Sequence, residues 1–92
     1  MKESSILSEV RKKLESGDIA NAEKLLEEFQ GEKDKSFWLI SGEVLMKQQK
    51  WGPAINAFHK VLDADPDCKK AKTNIEIIEN ILNFWNPDMF NA

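Results

Sequence analysis

Between Trp38 and Pro66, large and small residues follow one another at intervals that leave the chain few ways to fold. In order they are Trp38, Gly42, Trp51, Ala54, Ile55, Phe58, Val61, Leu62 and Pro66. Apolar residues recur every three or four positions, the period of a helix and not of a strand. Gly42 and Ala54 have almost no side chain, so two antiparallel helices can approach there while Trp38 and Phe58 fill the space on either side. Pro66 has no amide hydrogen and pushes Asp65 out of the helical region, so the second helix must stop.

The spacing recurs. Displaced by 32 residues, Ile6 falls on Trp38, Leu7 on Leu39, Val10 on Gly42, Leu14 on Met46, Ile19 on Trp51, Ala22 on Ala54, Leu26 on Phe58 and Phe29 on Val61. The first unit departs at Ile6, at Val10 and in having no closing Pro, so its helices should pack less closely than those of the second. The combined pattern resembles the tetratricopeptide repeat (TPR): a large aromatic four residues before a small residue, then an Ala, an aromatic and a closing Pro. Gly17-Asp18-Ile19 before Ala22 is similar to that family's turn between helices. The resemblance implies an all-α fold, a right-handed superhelical α-solenoid in one domain over residues 1–92. Two helix-turn-helix units would occupy about 4–35 and 36–66, a capping helix 67–85 and a tail 86–92.

Punctuation places the helices. The first runs from about Ser4 to Glu15 and ends at Gly17; Asp18 is the expected N-cap of the second, which reaches Phe29. A polar loop, Gly31 to Lys35, precedes a third helix from Ser36 to Gln49. The fourth spans Gly52 to Ala64 with Pro53 in its first turn, where the missing amide costs nothing. Asp67 should cap the fifth, which breaks at Asn86-Pro87. No strand is expected.

Hydrophobic residues at 41%, charged residues at 32% and a net charge of -3 describe a globular chain. Basic residues are scattered among acids, which argues against nucleic acid as partner. No apolar run approaches the ~18 residues of a membrane span, and the start lacks a signal peptide's apolar core. The single Cys68 cannot form an internal disulfide. A cytoplasmic protein is the expectation.

Catalytic chemistry finds no support in the residues. His59 is the only histidine, without a sequence-identifiable base, acid or metal partner. Cys68 stands at a helix start, where a thiol pKa can fall, but no second Cys or His accompanies it. The glycines form no phosphate loop, and pairs such as Glu27-Glu28 read as solvated helix surface. The expectation is a non-enzyme with no catalytic residue, metal or cofactor.

Recognition remains. In TPR proteins the first helices of successive units line a concave groove that holds segments of partner proteins. Carried over by position, the resemblance implies a groove of Leu7 and Arg11 on the first helix, Leu39, Glu43, Met46 and Lys47 on the third, and Lys70, Thr73 and Ile77 on the fifth. Leu14 and Glu15 also point inward in that frame. Leu39 and Met46 should then be partly exposed, with Trp38 and Leu45 buried. Leu7 and Leu14 have a second reading, as a seal between the first and third helices. The carboxylate clamp of chaperone-binding TPRs is excluded, because Leu39 and Ile40 stand where a polar clamp residue is needed and only Lys70 and Asn74 are of suitable type. The partner is a protein or peptide whose identity this chain does not reveal.

The last helix carries one apolar stripe at Ala71, Ile75, Ile78, Leu82 and Trp85 and another at Ile77, Ile81 and Phe84, although a terminal helix normally turns a polar face to water. Met89 and Phe90 follow. The composition of this end resembles that of small stand-alone bacterial TPR proteins. Phe84, Trp85, Met89 and Phe90 are candidates for an intramolecular cap, for self-association or for insertion into a partner. Asn86-Pro87-Asp88 favours folding back and hence a monomer; a homodimer assembled through this end is the alternative.

Overall fold

The helical periods of the sequence become five helices: α1 (Ser5–Glu15), α2 (Ile19–Glu27), α3 (Lys35–Lys47), α4 (Trp51–Ala64) and α5 (Lys69–Trp85). The structure, a computed structural model, describes residues 5–85 apart from the side chain of Trp85. Among the described residues there is no strand. The fold is all-α. The expected break at Asn86-Pro87 and the tail residues Met89 and Phe90 lie outside the described residues.

The two units of the sequence turn with the same hydrogen bonds. After α1, the amide of Gly17 donates to the Leu14 carbonyl at 3.1 Å and that of Asp18 to Lys13 at 2.8 Å. Thirty-two residues on, after α3, Gln49 donates to Met46 at 3.0 Å and Lys50 to Leu45 at 2.9 Å. Each turn satisfies the last helical carbonyls by placing one residue in the left-handed region. Gly17 does so at φ 86° without steric cost; Gln49 does so at φ 62° with a Cβ that the region disfavours.

Side chains set the remaining boundaries, twice against expectation. Asp18 precedes α2 but its carboxylate makes no cap bond to the helix. It accepts instead from Asn21 Nδ2 at 2.8 Å, and that bond holds its pKa below the usual carboxylate value. Asp34 Oδ1 accepts from the Phe37 amide at 3.2 Å, starting α3 at Lys35. At the α4–α5 turn Asp65 leaves the helical region, φ -145° and ψ 88°, as the following proline favours. Its carbonyl accepts from the Cys68 amide at 3.0 Å and its Oδ1 from the Asp67 amide at 3.2 Å. Asp67 is therefore a turn residue and not the cap of α5; the first carbonyl to accept from α5 is that of Cys68, from Lys72. Asp65 Oδ2 also takes Lys35 Nζ at 2.6 Å, tying the start of α3 to the end of α4. This bond lowers the Asp65 pKa and raises that of Lys35.

Packing is organised around α3. Its contact with α4 is the most extensive in the molecule, and α1 with α2 comes second. Helix length explains part of that order, since α1 and α2 have 11 and 9 residues against 13 and 14 for α3 and α4. The rest lies at the crossing. A Cβ placed on Gly42 would fall 2.6 Å from Phe58 Cε1, so the Phe58 ring lies directly against the α3 backbone. Phe58 and Ala54 are fully buried.

Two apolar groups share α3. Leu7, Val10 and Ala22 meet Phe37, Ile40 and Val44; on the other side Leu39, Ala54, Phe58 and Val61 meet Cys68, Ala71, Ile75 and Ile78. With partners on both sides, α3 has no polar half to spare, and its run Phe37-Trp38-Leu39-Ile40 is apolar all round. The least extent of the molecule, 18 Å, is about two helices deep.

Candidate functional site

Side chains from three helices converge on a hollow of 330 Å³ lined by Arg11, Leu14 and Glu15 of α1, Glu43 and Lys47 of α3, and Lys70 of α5. On α1 and α3 these residues are three or four apart, which puts each set on one helix face. Arg11 Nη1 lies 3.9 Å from Glu43 Oε1, and both side chains are half-buried. A pair at that distance and exposure is worth at most about 1 kcal/mol. Glu15, Lys47 and Lys70 are exposed. Three cations and two carboxylates give the hollow a slight positive excess, with Lys47 and Lys70 the two ammonium groups open to water.

The hollow thus brings together Arg11, Glu43, Lys47 and Lys70 of the nine groove positions. Leu7 and Leu39, expected to line the groove, are not among the residues of the hollow. Leu7 is 3% exposed, packed among Val10, Phe37, Ile40 and Val44, where it seals α1 against α3. Leu39 is 8% exposed, in one apolar group with Ala54, Phe58 and Val61 of α4 and Ala71 and Ile75 of α5. Exposure of Leu39 was the expectation, and its burial in this group overturns it. Met46 is half-buried against that group. Thr73 and Ile77 are exposed on α5, outside the hollow.

Trp38 and Leu45, expected to be buried, are half-buried. The Trp38 ring stands edge-on to Phe37 with centroids 5.0 Å apart and has Lys60 Nζ 5.1 Å from its own centroid. Phe84 is 78% exposed and Ile77 41%. The side chain of Trp85 is outside the described residues, as are Met89 and Phe90. His59 is exposed and Cys68 is buried as a small core residue. Among the described residues no three His, Cys, Asp or Glu side chains group so as to hold a metal ion, and no helix is long and apolar enough to cross a membrane.

A second depression, between α2 and α3, contains two polar residues to which the sequence pattern assigned no role, Ser41 and Gln48. The signal was a serine within the apolar face of α3, seven residues from a glutamine on the same side.

The chain matches no protein-family model, no curated protein and no solved structure.

Proposed function

We propose that the chain is a non-catalytic protein-interaction module of the TPR type, whose α1, α3 and α5 face receives a segment of a partner protein. The observation that carries this reading is the hollow, where charged side chains of three helices meet around Leu14. The recurrence of the turn hydrogen bonds after 32 residues supports two like units, and hence a short superhelical solenoid with α5 as its closing helix. Lys47 and Lys70 suit an acidic side chain on the partner.

The second reading is self-association through α5. What favours it is the exposure of Ile77 and Phe84, seven residues apart on one helix face. Affinity capture with the full chain separates the two. If the hollow binds, Lys47→Glu with Lys70→Glu abolishes capture, raised salt weakens it, and Phe84→Ser leaves it intact. If α5 is the interface, Phe84→Ser dissociates a dimer seen by sedimentation and the charge reversals leave that dimer unchanged. Leu39 is not a useful probe, since a charge there would enter the core.

A further inference from the structure

The large apolar side chains that the described residues leave in water are gathered on one line of α5. Ile77 is 41% exposed and Phe84 78%. Seven residues apart, they stand within about 20° of each other around the helix. Thr73, Asn74, Asn80 and Ile81, three or four residues from Ile77, complete this face between its two apolar side chains and the start of the helix. None of these residues is charged, although 32% of the chain is. The charges of the helix stand elsewhere: Lys69, Lys72, Glu76 and Glu79 lie off the strip, and Lys70 at its head belongs to the hollow. Absence of charge together with large apolar residues is the composition of an interface core.

An uncharged strip has nothing with which to select an acidic or a basic partner, and it does not repel its own copy. Symmetry then decides how two copies can meet. With the helices antiparallel about a two-fold axis at Ile77, that residue packs on Ile77 of the second copy, and residues above the axis in one copy face residues below it in the other. Asn80 then comes opposite Thr73, and Phe84 falls over the first turn of the other α5. Thr73 and Asn80 can each donate and accept, so this polar meeting is satisfied on both sides of the axis. A parallel pair would instead set Lys69, Lys70 and Lys72 of the two copies side by side, a like-charge cost that the antiparallel pair avoids. One rim position opposes the antiparallel pair: Glu76 stands beside Ile77 and comes near Glu76 of the second copy.

From the uncharged strip, its two exposed apolar side chains and the placing of the lysines we infer that this face is an interface between two copies of the chain, α5 against α5, antiparallel about Ile77. The inference rests on self-association through α5 and specifies its geometry. With 17 residues, α5 is about 25 Å long. One helix face of that length buries roughly half of the ~800 Å² per partner of a standard interface, so the dimer is weak, with a dissociation constant on the order of 100 μM.

Sedimentation equilibrium of the full chain up to about 1 mM should therefore show a monomer passing into a dimer. Raised salt should tighten it about twofold to threefold by screening Glu76 from its copy, and Glu76→Gln should do the same at low salt. Salt has the opposite effect on a segment held by Lys47 and Lys70. Ile77→Ser should weaken the dimer at least about tenfold. It should still fold, because Ile77 belongs to neither apolar group of the core. Oxidation supplies the register: Ile77→Cys should link to its copy at the axis, while Phe84→Cys, about 21 Å from its copy in the antiparallel pair, should not. The native Cys68 is buried and gives no background. A chain that stays monomeric throughout overturns this geometry and self-association through α5 together. A dimer that Phe84→Ser dissociates and Ile77→Ser leaves intact, one that salt weakens, or one in which Phe84→Cys links as readily as Ile77→Cys overturns the geometry alone.

Discussion

Replacing Gly42 with alanine should destabilise the protein, although the same change would strengthen an isolated helix. The added Cβ would lie 2.6, 2.7 and 2.8 Å from Cε1, Cζ and Cδ1 of Phe58, all well inside van der Waals contact. Phe58 is fully buried in one group with Ala54, Val61, Ile75 and Ile78, so the ring has nowhere to swing and the helices must separate. Overpacking of this kind costs about 1–3 kcal/mol. Alanine returns about 1 kcal/mol of helix propensity. Because three ring atoms clash together, the upper part of the range applies and the net loss should be about 1–2 kcal/mol. In a domain of this size that lowers Tm by roughly 4–16 °C.

Urea denaturation of the wild type, Gly42→Ala, Phe58→Leu and the double variant measures it. Leucine is smaller and can rotate away, so the double variant should lose less than the sum of the singles. Gly52→Ala supplies the control, since a Cβ there meets nothing within 4 Å; it should be neutral or stabilising by up to about 1 kcal/mol. A Gly42→Ala protein as stable as wild type, with no coupling to Phe58, would refute the close crossing of α3 and α4.

The matched turns make a paired prediction: Gln49→Gly should stabilise by about 1 kcal/mol by removing a Cβ from the left-handed region, and Gly17→Ala should destabilise by a similar amount. Nothing lies within 4 Å of a Cβ on Gly17, so backbone conformation alone sets its effect, and thermal melts of both variants check it. Ala54→Leu should cost about 1–3 kcal/mol at the same crossing, and an unchanged melting curve would contradict the packing. The Lys35 bond to Asp65 predicts a pH dependence. It lowers the carboxyl pKa in the folded state, so its stabilisation is present above the unfolded value of about 3.9 and is lost as pH falls through the lowered one. Lys35 is raised, so its share persists up to about pH 10.4 and is lost as pH rises through the raised value. Tm measured against pH should therefore fall less steeply below about pH 4 for Asp65→Asn than for wild type, and parallel curves would refute the linkage.

How much of this was legible depended on how many neighbours a residue has. Gly42, Ala54 and Phe58 could be placed because their spacing describes one crossing between two consecutive helices, and that crossing is present. Pro66 could be placed because its constraint is covalent. The caps were harder: Asp18 and Asp67 have the right chemistry for an N-cap, but a carboxylate serves an Asx-type bond or a nearby amide equally well. Asn21 captured the first, and Asp65 made the turn that displaced the second.

The errors concentrate on α3, for a physical reason. A helical period tells which residues share a face but not which neighbour covers that face, and α3 is packed by α1, α2 and α4 while its Leu39 also joins Ala71 and Ile75 of α5. Leu39 was legible as apolar and illegible as covered. Its burial depended on how α4 and α5 gather beside it, and Ala71 and Ile75 of that group lie some thirty residues away. The charged rim escaped this problem: Arg11, Glu43, Lys47 and Lys70 are too expensive to bury unpaired, so wherever the helices settled they had to stay near water. Charge placed inside a helical frame therefore marked the hollow more reliably than apolar character did. By the same reasoning Ser41, a polar residue kept on a packed face of α3, was the position whose chemistry most needed an explanation.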